Sequence, residues 1–226
     1  MKWVRITAVL FAPLVATPAL SQEIDDDGPA GTFSIGPSLS TLGIGLEVGY
    51  RPSNYLGFRV GGNFFEYDTT HELDGIEYDG NLELKSAGLI ADLHPFGGGF
   101  RISIGARLNL NEASLTATPA ESVEIGGVTY TPAEIGTITG DIEFNRFAPY
   151  VGLGYEGAPF PTDAFTLGIE AGVMYHGEAE VSLSATKVAA TANLADDLEA
   201  ERRDVEDDIG KYKFYPVVML TAKYRF

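Results

Sequence analysis

The 226-residue chain contains no cysteine. A disulfide framework, a thiolate metal site and a cysteine nucleophile are therefore excluded. Positive charge is scarce: 15 Lys and Arg stand against 32 Asp and Glu, a net charge of −17. Such a chain would repel phosphate backbones, so no nucleic-acid partner is expected. No apolar run approaches the ~20 residues that a membrane-crossing helix needs. Histidine occurs three times, as His71, His94 and His176, too dispersed for a histidine metal cluster. No glycine-rich phosphate loop occurs either, and neither cofactor nor metal is expected.

Glycine, by contrast, is abundant at 27 residues, well above the usual ~7%. The chain is 45% hydrophobic, too apolar for a disordered polymer, and its apolar residues are dispersed rather than blocked. The N-terminus reads as a cleaved signal peptide over residues 1–21. Lys2 and Arg5 form a charged head, Ile6 to Val15 a short apolar stretch, and Ala19-Leu20-Ser21 a small-residue cleavage site. What remains after cleavage has 13 basic and 32 acidic residues. Residues 22–31, QEIDDDGPAG, read as a flexible leader, and 32–226 as one domain.

Within 32–226 the dominant signal is alternation with period two, the mark of strands with two unlike faces. In Phe165 to Tyr175, Phe165, Leu167, Ile169, Ala171, Val173 and Tyr175 oppose Thr166, Gly168, Glu170, Gly172 and Met174. Near the end, Phe214, Pro216, Val218, Leu220, Ala222, Tyr224 and Phe226 oppose Lys223 and Arg225. Eight such segments are expected, near 32–39, 42–51, 54–68, 80–94, 99–117, 142–156, 164–186 and 212–226. Two of them change phase, at Ser86–Gly88 and Phe144–Phe147, where bulges are expected. Short Pro/Gly-rich connections (51–54, 94–99, 156–163) alternate with long polar ones (69–79, 118–141, 186–211). That asymmetry fits an up-and-down antiparallel transmembrane barrel with both termini at the short-turn, periplasmic end.

Alternation alone does not say which face is wet, since a soluble barrel would put its apolar residues inside. Glycine placement decides. Gly43, Gly45, Gly49, Gly57, Gly61, Gly88, Gly105, Gly152, Gly154, Gly168 and Gly172 share the phase of the charged residues, with Gly62 an exception. An eight-stranded interior is barely wide enough for side chains, so long ionic groups fit there only beside small neighbours. Phe165 and Tyr175 are also ten residues apart, a rise of about 23–24 Å at ~3.3 Å per residue and ~45° tilt, close to the apolar band between aromatic girdles. Tyr50, Tyr155, Phe165, Tyr224 and Phe226 would form the periplasmic girdle, and Phe64, Phe144, Tyr175 and Phe214 the outer one.

The final strand, with Phe226 last, Tyr224 two residues earlier and Ala222, Leu220 and Val218 alternating before it, resembles the C-terminal signature of Gram-negative outer-membrane proteins. The overall plan is similar to small eight-stranded barrels of the OmpA or OmpW type. The resemblance covers the exported chain in layout and the last strand in motif. It implies an outer-membrane location beside lipid and lipopolysaccharide, monomeric. It further implies that Val218, Leu220, Tyr224 and Phe226 act as an assembly signal read by the barrel-assembly machinery.

In the phase of that barrel the lumen would hold Glu47, Arg59, Glu83, Lys85, Asp92, Arg101, Arg107, Glu170, Lys223 and Arg225. Buried charges of both signs must pair. They form either a plug that fixes the barrel, with Glu47, Asp92 and Glu170 meeting Arg59, Arg101 and Arg107, or the lining of a selective, porin-like channel for small solutes. The plug, and with it a structural envelope role, is the favoured reading. No enzymatic activity is expected. A lipid-modifying enzyme would need a His–Ser pair at the rim. His176, Ser182 and Glu178 form the one set worth testing, and they lack the tight His-x-Ser spacing of deacylase barrels. One helix is expected in the last long loop, 193–210, capped by Asn193 and ended by Gly210, with Leu194, Leu198, Val205 and Ile209 on its apolar stripe. That stripe is expected to pack on the barrel mouth or on loop 118–141. The acidic loops are expected to be a solvated surface, with divalent-cation bridging to lipopolysaccharide as the alternative.

Overall fold

A computed structural model describes residues 30–73, 76–161, 164–188, 191 and 193–226. The signal segment and residues 22–29 of the leader lie outside them. The elements in chain order are β1 (Thr32–Ser40), β2 (Gly43–Ser53), β3 (Leu56–Leu73), β4 (Ile76–Leu93), β5 (Phe100–Asn109), β6 (Glu112–Pro119), β7 (Val123–Ile125), β8 (Val128–Tyr130), α1 (Pro132–Ile135), β9 (Ile138–Glu143), β10 (Phe147–Gly157), β11 (Phe165–Tyr175), β12 (Glu180–Ala185), α2 (Leu194–Ile209) and β13 (Phe214–Arg225). No helix among the described residues is long and apolar enough to cross a membrane.

Eight antiparallel strands close on themselves in the order β4-β3-β2-β1-β13-β11-β10-β5, with β5 returning to β4. Closure leaves the eight barrel strands without a free edge, the condition for strands to lie in hydrocarbon. The seam is β1 against β13, where the Phe33 and Phe226 backbones exchange hydrogen bonds of 3.0 and 2.9 Å. The outward residues Ile44, Leu89 and Ile104 are each about two-thirds exposed, at 66%, 65% and 66%, whereas the inward Arg101 and Glu170 are 1% exposed. An apolar belt of that extent is tenable only against lipid. Rings collect at both edges of the belt. Phe33 stacks on Tyr50, and Phe165 meets Tyr224, at the short-turn end; Tyr175 meets Phe214 at the other. Phe144 leaves the outer girdle and packs edge-on against His176, ring centroids 4.2 Å apart.

The long connections are more ordered than their polarity suggests. Residues 69–73 and 76–79 are strand rather than loop: β3 and β4, 18 residues each, pair in unbroken register from Leu56↔Leu93 to Leu73↔Ile76. Beyond the belt β4 pairs with β6, β6 with β9, and β9 with β12, so a five-stranded sheet rises from one side of the barrel. The bulge expected at Ser86–Gly88 is absent. What changes there is the medium. Below, the outward residues Ala87, Leu89 and Leu93 face lipid. Above, the outward residues of the same strand are Lys85, Glu83, Asn81, Asp79 and Glu77, which face water. The face that continues the lumen turns apolar, with Tyr78, Ala117, Ile138 and Ala185 in one cross-strand row and Leu82, Ala113, Ile142 and Val181 in another. The irregularity expected at Phe144–Phe147 is a break between β9 and β10.

Helix α2 covers part of that apolar face. Leu194 and Leu198 pack with Ile125, Tyr130, Ile135 and Ala185 in a second core outside the barrel. The stripe of α2 thus meets the 118–141 segment rather than the barrel mouth. Asn193 precedes the helix in a left-handed backbone conformation and makes no side-chain cap bond, and Gly210 ends it. The Tyr130 hydroxyl donates to Asp197, a bond that locks the β7–β8 hairpin to the helix and pushes the tyrosine up to about 12.

Candidate functional site

The lumen has two storeys. At the short-turn end, seven of the eight barrel strands send ionic side chains to a common centre, and glycines make the room. A Cβ at Gly154 would lie 3.0 Å from Arg101 Nε, and one at Gly88 would lie 3.1 Å from Cγ of Arg107. Arg59 of β3 is the hub. It donates to Glu47 Oε2 at 2.8 Å, to Asp92 through both Nε and Nη2, to Ser103 Oγ at 3.0 Å and to Glu170 Oε2 at 2.7 Å. Arg101 of β5 donates to the same Glu170 oxygen at 2.8 Å and to Glu156 Oε2 at 3.2 Å. Lys223 of β13 bridges Glu47 at 2.7 Å and Glu156 at 2.9 Å, and Arg225 reaches Glu156 at 2.9 Å. The Tyr150 hydroxyl donates to Glu170 Oε1 at 2.6 Å, and Ser103 donates to Asp92 at 2.6 Å. Burial of this many charges is tolerable because each carboxylate accepts several charged or polar donors.

The structure thus brings together Glu47, Arg59, Asp92, Arg101, Glu170, Lys223 and Arg225, as the alternation suggests. Arg107 is buried in the lumen but stands apart. It donates to Asn63 Oδ1 at 3.2 Å, lies 5.4 Å from the centre of the Tyr150 ring, and has no carboxylate partner among the described residues. Its Nε has no hydrogen-bond partner. Glu83 and Lys85 are not in the lumen. They pair with each other on the outward face of β4 just above the belt, where Lys85 sits 5.8 Å over the Phe64 ring. Their misplacement follows from reading the change of medium as a change of strand phase. Glu156 is the member that the sequence reading missed. It stands at the junction of the 142–156 strand and the 156–163 turn, and it continues the Gly152, Gly154 phase of β10. Among the described residues the buried lumen charges are therefore the cations Arg59, Arg101, Arg107, Lys223 and Arg225 and the carboxylates Glu47, Asp92, Glu156 and Glu170, with Arg51 half-buried at the short-turn mouth.

The upper storey carries an apolar cluster beside the buried polar side chains of Asn63, Ser86, Arg107 and Asn109. Leu42, Ile90, Ala148, Tyr150, Met174 and Val217 form one cluster, with Leu42 and Met174 fully buried. Leu42 belongs to the two-residue β1–β2 turn and hangs inward as a lid. The turn is laced to β13: Thr41 N–H donates to Val218 O at 3.0 Å, and the Tyr215 hydroxyl to Thr41 O at 2.6 Å. Two lumen cavities measure about 40 and 10 Å³, space for a water molecule or two and no solute.

Elsewhere the candidate chemistry does not assemble. His176 is buried between Phe144 and Tyr215, its Nδ1 has no hydrogen-bond partner, and Glu178 is paired with Lys213. That pairing holds the Glu178 carboxyl below its usual range. Ser182 lies on the exposed face of β12. His94 is held in its turn by the Gly98 carbonyl at 3.0 Å. Among the described residues no group of three His, Cys, Asp or Glu is placed to hold a metal ion.

No protein-family model and no curated protein sequence matches the chain. Solved structures do. The crystal structure of Acinetobacter baumannii CarO2 superposes with a TM-score of 0.59 at 25% identity, over 88% of this chain and all of that one. The chain has the fold of an eight-stranded outer-membrane β-barrel. Acinetobacter baumannii CarO matches this outer-membrane barrel with a TM-score of 0.57 at 22% identity, over 85% of this chain and 97% of that one.

Proposed function

We infer that this outer-membrane barrel serves as a closed structural element of the envelope, with its lumen sealed rather than conducting. The observation that carries this reading is the double seal: an ionic network drawn from seven strands beneath an apolar layer lidded by Leu42. A pore lined by charge would leave its ionic groups hydrated and a path between them; here all the lumen charges but Arg107 are spent on one another. Export through a cleaved signal peptide over residues 1–21 belongs to the same proposal. So do insertion as a monomer among outer-membrane lipid and lipopolysaccharide, and recognition of Val218, Leu220, Tyr224 and Phe226 by the barrel-assembly machinery. The outward alternation of those four residues on β13 supports the last point.

Planar-bilayer recording of the refolded barrel tests the seal. No reproducible unitary steps are expected at 1 M salt. Steps of uniform size would overturn the sealed reading and make the protein a small-solute channel.

A further inference from the structure

A further cavity, much larger than those in the lumen, lies outside the barrel. It is an open groove of about 600 Å³ between the apolar face of the β4-β6-β9-β12 sheet, the β7 edge and helix α2. Tyr78 and Leu183 contribute to its sheet wall and Leu198 to its helix wall. Its size falls in the range of small-molecule sites, roughly 300–1,000 Å³. The charged residues that line it are Glu121, Glu124 and Glu201, all acidic, and no Lys or Arg is among the lining residues. The two arginines of α2 are already committed, Arg202 to Glu199 and Glu206 and Arg203 to Glu199. An apolar bore with an acidic rim and an aromatic ring in its wall is complementary to one chemistry, a greasy body carrying a single positive charge.

We propose that this groove binds hydrophobic monocations, with the apolar body against Tyr78, Leu183 and Leu198 and the charge among the three rim carboxylates. The seal of the lumen plays no part in it, because the groove and the ionic network share no residue. The test uses the folded full barrel in nanodiscs of zwitterionic lipid, with ethidium as probe and fluorescence anisotropy as readout against empty nanodiscs. Saturable binding of one ethidium per barrel is expected. The variant Glu121→Gln/Glu124→Gln/Glu201→Gln should weaken it about fivefold in 0.15 M salt, the sum of three partly screened charges at the rim. Val205→Trp, which leaves every charge in place and fills the groove from the helix side, should abolish it. Heat-modifiable migration confirms that each variant is folded. The proposal is overturned if ethidium binds no better than to empty nanodiscs. It is overturned equally if the triple variant or Val205→Trp binds as wild type, or if the anionic probe 8-anilinonaphthalene-1-sulfonate or the neutral N-phenyl-1-naphthylamine binds as tightly as ethidium.

Discussion

Glu170→Gln isolates the contribution of the ionic network, because it removes one charge and almost no volume. Glu170 Oε2 accepts from Arg59 at 2.7 Å and Arg101 at 2.8 Å, and its other oxygen accepts from Tyr150. The amide leaves five buried lumen cations against three carboxylates. Removing one partner of a buried ion pair costs about 3–5 kcal/mol. Both arginines keep another carboxylate, Glu47 and Asp92 for Arg59 and Glu156 for Arg101. The amide oxygen can also still accept from Tyr150. The expected loss therefore lies at the lower end, about 3 kcal/mol. Urea unfolding of barrels refolded into vesicles, read by the fraction that migrates as the folded form before boiling, gives the midpoint shift at constant slope. The matched control is Arg107→Met. Arg107 is buried without a carboxylate partner among the described residues, so its removal should be neutral or stabilising by up to about 1 kcal/mol. A Glu170→Gln barrel within about 1 kcal/mol of wild type would show that the pairs are mutually redundant and do not hold the barrel shut. Equal losses for the two variants would sink the distinction between a paired and an unpaired arginine.

Two further outcomes follow from the sheet above the belt. Glu66, Glu83, Glu112, Glu143 and Glu180 stand side by side on five adjacent strands, each directly opposite the next, an arrangement in which like charges destabilise. Glu112→Lys at its centre should raise stability by about 0.5–1 kcal/mol in low salt, and the gain should shrink at 1 M; urea midpoints at the two salt concentrations check it. Tyr130 has its folded-state pKa raised to about 12 by the bond to Asp197. That bond's contribution is complete below the ordinary tyrosine value near 10 and is lost as pH rises through about 12. In an ultraviolet titration, tyrosinate absorbance should show a component near pH 12 that vanishes in Tyr130→Phe.

The barrel was legible in the sequence because hydrocarbon imposes one rule on every strand it touches. Leu, Ile and Val at alternate positions of β2, β5, β11 and β13 have to point outward, and the glycines and charges between them have to share the lumen. That rule stops at the edge of the bilayer, and so did the reading. Above Phe64 and Ser86 the outward side meets water, the polarity of the two faces reverses, and an unbroken strand looks like a bulged one followed by a loop. Alternation therefore puts Lys85 and Glu83 on the wrong face and makes 69–79 look like a long polar connection, although Thr70, Glu72, Glu77 and Asp79 are merely the wet face of a strand pair. Glu156 and Leu42 were hidden by a different limit, since each lies where a strand passes into a turn and alternation has too few neighbours to set a phase. Both complete the lumen: Glu156 receives Arg101, Lys223 and Arg225 at the bottom, and Leu42 is packed in the apolar cluster at the top. Two residues that complete the lumen thus stand at the ends of the alternating pattern, where the periodicity of the chain carries least information, while the wall around them is written in every strand.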